Sequence, residues 1–252
     1  MGQFDGRIAL ITGSGSGIGR ATALIMAERG ADIAVLDRNM EGAEETAEKV
    51  RALGRSAKIW EADVTDFGAM AEAVKAVEGA FGKIDVLVNN AGVSSDRCPL
   101  EEVTPEMFHR SMYVHLGGAI FTTQAVIPGM KARGYGKIVN ISSIQGMVGH
   151  ANGATYNAAK GGVLALTKGW AREFSEWKIC VNAVAPGHCL TPMPMARDTP
   201  EVLAKKAESV PFKRYGQPEE MGYAIAYLCS PEADFVTGQV ISPNGGYLMV
   251  GY

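Results

Sequence analysis

The 252-residue sequence is poor in the residues that build several kinds of site. Its four cysteines, Cys98, Cys180, Cys189 and Cys229, stand far apart, with neither C-x-x-C spacing nor the density of a disulfide scaffold. That pattern predicts buried or free thiols. The four histidines, His109, His115, His150 and His188, form no H-E-x-x-H or H-x-H pair, so no metal site is expected. Basic blocks are missing, and 24 Lys and Arg against 27 Asp and Glu leave a formal net charge of −3. This argues against a nucleic-acid or anionic-membrane partner and leaves a small molecule as the expected one. No apolar run approaches the ~20 residues of a membrane span. The opening MGQFDGRIALITG lacks a basic segment followed by an apolar core, and Gly6 stands where a myristoylation signal needs Ser or Thr. A soluble, cytoplasmic protein is expected.

What the sequence does have is length, 47% hydrophobic residues and 31 glycines, enough for a full core in one domain spanning 1–252. Short β-branched runs alternate with longer helical patterns: RIALIT, ADIAVLD, AKIWEAD, KIDVLVNN, GKIVNIS, KICVNAVAP and GQVISP are seven strand candidates. Their apolar residues are often consecutive, as in Val86-Leu87-Val88, which suits strands covered by helices on both faces. Ile18, Ala21 and Ile25 keep helical spacing up to Gly30, and MEGAEETAEKVRALG ends similarly at Gly54. Such alternation predicts an α/β, doubly wound fold around a mostly parallel sheet. The rhythm is lost at 186–218, where five prolines follow Pro186, and this stretch reads as an irregular substrate loop or lid.

After the first strand comes Thr12-Gly13-Ser14-Gly15-Ser16-Gly17-Ile18-Gly19, joining strand to helix. Glycines allow a tight turn and close approach of backbone, and the free N–H groups of a helix start attract a pyrophosphate. The spacing is G-x-x-x-G-x-G rather than the general G-x-G-x-x-G. Its setting adds weight, because the second strand of the same βαβ unit ends in Asp37, 18 residues beyond Gly19. A carboxylate there accepts ribose hydroxyls and repels the extra phosphate of NADP, so NAD is the expected cofactor. Arg38 could help neutralise such a phosphate, but Ser16 puts no cation inside the loop.

Taken together, T-G-x-x-x-G-I-G at 12–19, Asp63-Val64, Asn89-Asn90-Ala91-Gly92, Ser143, Tyr156-x-x-x-Lys160 and Pro186-Gly187 with Thr191 resemble the short-chain dehydrogenase/reductase family in its compact, single-domain branch. The resemblance covers nearly the whole chain. It implies a Rossmann-like fold with a seven-stranded sheet, assembly as a homotetramer, and hydride transfer between a nicotinamide cofactor and an alcohol or carbonyl. Gly13, Ser16, Gly17, Ile18 and Gly19 would cradle the pyrophosphate, and Asp63 and Val64 would meet the adenine. Asn90, Ala91 and Gly92 would run beside the dinucleotide, with Gly187 and Thr191 at the carboxamide.

Tyr156 and Lys160 lie four residues apart, on one face of a helix. A phenol with a pKa near ~10 needs help to take a proton at neutral pH, and a Lys ammonium can give it. By resemblance Tyr156 is the general acid/base, Lys160 lowers its pKa and holds the nicotinamide ribose, and Ser143 polarises the substrate oxygen. Ser142 is read as supporting the strand end. In SMYVHLGG, His115 replaces the family's Asn, whose backbone carbonyl holds a relay water. The same role through the main chain is preferred for His115, with an imidazole role or a mere packing role open. Substrate contacts are expected from Ser143, Gln145, His150, Tyr156 and His188, with Ser94, Arg97, Asn152, Met193 and Met195 nearby. That mixture suits a hydroxylated, cyclic or anionic small molecule. The reading is an NAD-dependent oxidoreductase of secondary alcohols; the alternative is a cofactor-binding regulatory or scaffold protein of the same fold.

Overall fold

A computed structural model describes residues 2–94 and 96–250. All seven predicted strands form: β1 Ile8–Thr12, β2 Asp32–Asp37, β3 Ala57–Glu61, β4 Val86–Asn89, β5 Gly136–Ile141, β6 Ile179–Val184 and β7 Val240–Ile241. They make one parallel sheet in the order β3-β2-β1-β4-β5-β6-β7.

The consecutive apolar residues follow from burial on both sides. On one face Ala9, Ile11, Ile33, Val35, Val86 and Val88 pack with residues of helices α1 (Gly17–Glu28) and α2 (Met40–Ala52). On the other face Leu10, Ala34, Leu36, Leu87 and Ile138 meet Met70 and Val77 of α3 (Phe67–Phe81). Alternate side chains of one strand therefore enter two separate cores, and the polar residues buried with them, Asn89, Asn140 and Asn182, are hydrogen-bonded there.

The chain next runs through α4 (Pro105–Ser111) into a π-helical turn, Met112–Gly117, and on through α5 (Gly118–Arg133). After β5 come α6 (Ile144–Val148) and α7 (Ala154–Glu173). The stretch read as irregular is more ordered than expected: it carries α8 (Pro192–Arg197) and α9 (Pro200–Ser209), followed by α10 (Pro218–Cys229). Pro192, Pro200 and Pro218 start these helices, since the first turn needs no N–H donor there and the ring presets φ. The two ends of the lid are pinned together. Gly216 N donates to His188 O at 2.8 Å and Leu190 N to Gly216 O at 2.9 Å, bridging Cys189 to Gly216.

β1 lies between β2 and β4, so the chain leaves in opposite directions from neighbouring strand ends. Such a reversal opens a crevice at the carboxyl edge of the sheet. Among the described residues no helix is long and apolar enough to cross a membrane.

Candidate functional site

At that edge lies a cleft of about 360 Å³, walled by the glycine turn, the ends of β2, β4 and β5, the first turns of α7, and the lid. Gly13 turns the chain at a φ of 65°, and a Cβ there would lie 2.8 Å from the Ala91 Cα. The Asn90 side chain braces the turn, donating to the carbonyls of Thr12 and Gly13 at 2.9 Å each. Ser16 precedes α1 without capping it through its side chain, so first-turn N–H groups remain free for an anion. Thr191 covers this spot, 3.4 Å from where a Cβ of Gly17 would stand.

Asp37 sits at the far end of the cleft. Its carboxylate accepts from Gly15 N at 2.8 Å and Asn39 N at 2.9 Å, which holds it in place. Arg38 pairs with Asp63 at 3.5 Å, and Asp63 also accepts from the Thr65 N–H and hydroxyl. Arg20 lies behind the loop, occupied by Glu45, Thr46 and the carbonyl of Gly15. An uncapped helix start, a glycine cradle and a fixed carboxylate one strand away fit a dinucleotide.

The other half of the cleft gathers Ser143, Gln145, Tyr156, Lys160, His115, Gly187 and His188. Ser143 follows β5 by two residues and caps α6, its Oγ accepting from Gln145 N at 3.1 Å. Ser142 Oγ donates to the Lys160 carbonyl at 2.8 Å, tying the strand end to α7. Lys160 is buried, with Nζ donating to Ile141 O at 2.7 Å and standing 5.8 Å from the centre of the Tyr156 ring.

Burial pushes the Tyr156 phenol above its ordinary value, and Ser143, Arg197 and Arg97 pull against that rise. Lys160 was expected to supply this pull. Its own pKa falls to about 7 because the ammonium is stripped of water, which weakens the cation meant to help.

His115 lies in the π turn, 4% exposed, edge-on to Tyr156 with ring centres 5.1 Å apart. Such turns occur often at functional sites. Burial, with the Lys160 charge, holds its pKa well below 6.5, so the ring is neutral. Its Nε2 lies 3.1 Å from Val93 O, which can only accept, so the proton belongs on Nε2. Nδ1 is left as a buried acceptor without a partner.

Most residues expected from the sequence line this cleft, Ile18, Val64, Gly92, Arg97 and Met193 among them. Gly19 does not: its place is forced by packing, because a Cβ would collide with the Gly13 carbonyl and the Asn90 amide. His150 also stays outside the wall, on an exposed loop with Nδ1 2.7 Å from Ala151 O. Ser94, Asn152 and Met195 are outside it as well. Among the wall residues that escaped the sequence reading are the polar Arg197, Lys206 and Tyr215, all brought in by the lid. Only the cations of that stretch could have drawn attention to it.

A crevice at a strand-order reversal, with a dinucleotide cradle and a Ser, Tyr and Lys at its other end, defines a nicotinamide-dependent oxidoreductase. The chain belongs to the short-chain dehydrogenase/reductase family. A family model described as Enoyl-(Acyl carrier protein) reductase matches residues 13–248. The chain is 41% identical over 251 residues to cis-4-hydroxycyclohexanecarboxylate dehydrogenase of Sinomonas cyclohexanicum, covering 99% of this chain and 100% of that protein. It is 39% identical to the 3-oxoacyl-[acyl-carrier-protein] reductase FabG of Thermotoga maritima, covering 98% and 100%. The crystal structure of NAD+-bound xylitol dehydrogenase superimposes with a TM-score of 0.90 at 34% identity, covering 96% of this chain and 99% of that one.

Proposed function

We propose that the protein is an NAD-dependent dehydrogenase of small, polar secondary alcohols, with Tyr156 as general acid/base. The observation that carries the cofactor choice is the Asp37 carboxylate, fixed by two backbone N–H groups at the adenosine end of the cleft. An NADP phosphate placed there would meet a negative charge, and Arg38 is already engaged by Asp63. The NAD-bound xylitol dehydrogenase agrees with this choice.

Bound NAD would supply the hydride acceptor. The chain's own groups manage the proton. Tyr156 Oη takes the substrate hydroxyl proton as the carbon–hydrogen bond breaks. Ser143 Oγ already accepts from Gln145 N, so its own hydrogen can turn from the Tyr156 phenol to donate to the substrate oxygen as charge grows on it. Lys160 uses one N–H on Ile141 O and keeps its other donors for ribose hydroxyls. The preference for a compact polar substrate rests on a cleft wall that ends in Gln145, His188 and charged lid residues. The hydroxylated ring acted on by the Sinomonas enzyme fits that wall.

The test is turnover of a panel of cyclic and acyclic secondary alcohols with NAD and with NADP. NAD should give the higher kcat/KM, and Tyr156→Phe should abolish turnover while NAD binding survives. Equal use of both cofactors would sink the cofactor assignment, and substantial residual kcat in the variant would remove Tyr156 from its role.

A further inference from the structure

The proton chemistry above leaves the cations at the substrate end of the cleft without a task. Arg97, Arg197 and Lys206 all line the substrate end of the cleft. One acid serves two of them: Asp198 accepts from Arg197 Nε at 3.1 Å and Nη2 at 2.9 Å, and also from Lys206. Asp96, next to Arg97 in the chain, is bound to Arg110 at 2.7 Å. Among the described residues no carboxylate pairs with Arg97. This end of the cleft therefore holds excess positive charge in a chain whose net charge is −3. In a concave site such an excess attracts anions.

A second observation lies on the same wall. The Tyr215 hydroxyl is buried, the residue being 8% exposed, and it has no hydrogen-bond partner. Burial and the Asp198 charge raise its phenol above the ordinary value, and the charges of Arg197 and Arg97 oppose them. Its position is built: Arg214 forks onto Glu220 with two bonds of 2.7 Å, and Gly216 closes the lid against His188. The His188 ring, kept neutral by burial and by the charges of Lys206 and Arg97, packs 5.5 Å from Tyr215. A buried hydroxyl left without a partner is costly, and a ligand oxygen would satisfy it.

We infer that the substrate is a hydroxy acid or its oxo counterpart, with the reacting carbon at Tyr156 and the carboxylate held by Arg97 and the Tyr215 hydroxyl. The inference rests on the dehydrogenase reading above. A carboxylate suits the donors present, a planar guanidinium fork plus one hydroxyl. A phosphate would call for more donors, and α9 has its own Thr199 side chain as cap.

The experiment compares 4-hydroxycyclohexanecarboxylate, its methyl ester and cyclohexanol with the unmodified protein and with Arg97→Leu, Arg97→Lys and Tyr215→Phe. The acid should exceed the ester in kcat/KM by about tenfold or more, the range expected for a charge-assisted hydrogen bond. Arg97→Leu should erase that preference through KM, Arg97→Lys should restore part of it, and Tyr215→Phe should lower it. Equal use of acid and ester, or an equal loss on both in Arg97→Leu, overturns the inference. So does weakened NAD binding in Arg97→Leu, which would assign the guanidinium to the cofactor.

Calorimetry with unreactive cyclohexanecarboxylate and with inorganic phosphate, in the presence of NAD, gives a readout that needs no turnover. Binding of the carboxylate that is lost in Arg97→Leu supports the anion site even if no alcohol is oxidised, in which case the dehydrogenase reading alone fails. Oxidation of alcohols without carboxylate binding rejects the anion site alone. Tighter binding of phosphate rejects the carboxylate.

Discussion

Replacing Lys160 with Met should silence the enzyme and at the same time make the fold more stable. The drop of the lysine pKa from 10.5 to about 7 measures how strongly the interior disfavours its charge. At ~1.4 kcal/mol per pKa unit, holding that charge at pH 7 costs the fold about 5 kcal/mol. Met has a similar length and no charge, but it cannot donate to Ile141 O, a bond of 2.7 Å in the native site. Leaving that carbonyl unpaired costs about 1–3 kcal/mol, so the net gain at pH 7 is about 2–4 kcal/mol. For a chain of this size that raises Tm by about 5–15 °C. The sign follows from linkage. Between pH 7 and 10.5 the unfolded lysine holds a proton that the folded one has released, so the native protein gains stability as pH rises. The advantage of Lys160→Met therefore shrinks with rising pH and reverses near ~pH 9–10. Denaturant titrations of both proteins at matched concentration from pH 6.5 to 10 would show this. A variant less stable than the native protein at pH 7, or a difference that ignores pH, would refute the reasoning.

Asp37→Ala should weaken NAD binding by about 1.5–3 kcal/mol per lost charged hydrogen bond and narrow the preference over NADP, read as dissociation constants for both. In His115→Asn, kcat and its pH profile should stay nearly unchanged, because the imidazole is already neutral and contributes no limb near pH 6.5. Loss of such a limb, with a substrate deuterium isotope effect showing that chemistry limits the rate, would give the ring a part in proton transfer. Gly19→Ala should destabilise the protein by about 1–3 kcal/mol, the range for overpacking, since its methyl group meets the backbone of Gly13; an unchanged unfolding midpoint would contradict that geometry.

The sheet was readable because its strands are covered on both faces, so that unbroken runs such as Val86-Leu87-Val88 can be nothing but interior. Tyr156 and Lys160 were readable for a related reason, since one helix face brings them together. The π turn around His115 leaves no periodic mark, because one widened turn shifts the apolar pattern by a single residue. Arg197, Lys206 and Tyr215 join the wall through contacts distant in sequence, among them that of Cys189 with Gly216, which no local spacing announces. Prolines mislead in the same stretch, because a proline at a helix start and one in an irregular loop look alike when the following helix is short. The electrostatics of the pair could not be read at all: chemistry names the lysine as helper, while burial decides how much charge it keeps.

The clamp between Cys189 and Gly216 makes the lid a closed detour that leaves after β6 and rejoins itself just before α10. Residues 193–209, between Thr191 against the glycine turn and Phe212 bonded to Gly245 O, can then change with little effect on β6 or β7, because the joint is made by backbone bonds. Part of the substrate wall, Arg197, Lys206 and Tyr215, is thus written on a piece of chain apart from Tyr156 and Lys160, while Arg97 stays with the scaffold. A lid exchanged at those two joints between relatives should shift the substrate preference of this scaffold while leaving the share held by Arg97, which makes the detour a natural unit of divergence and a segment to redesign.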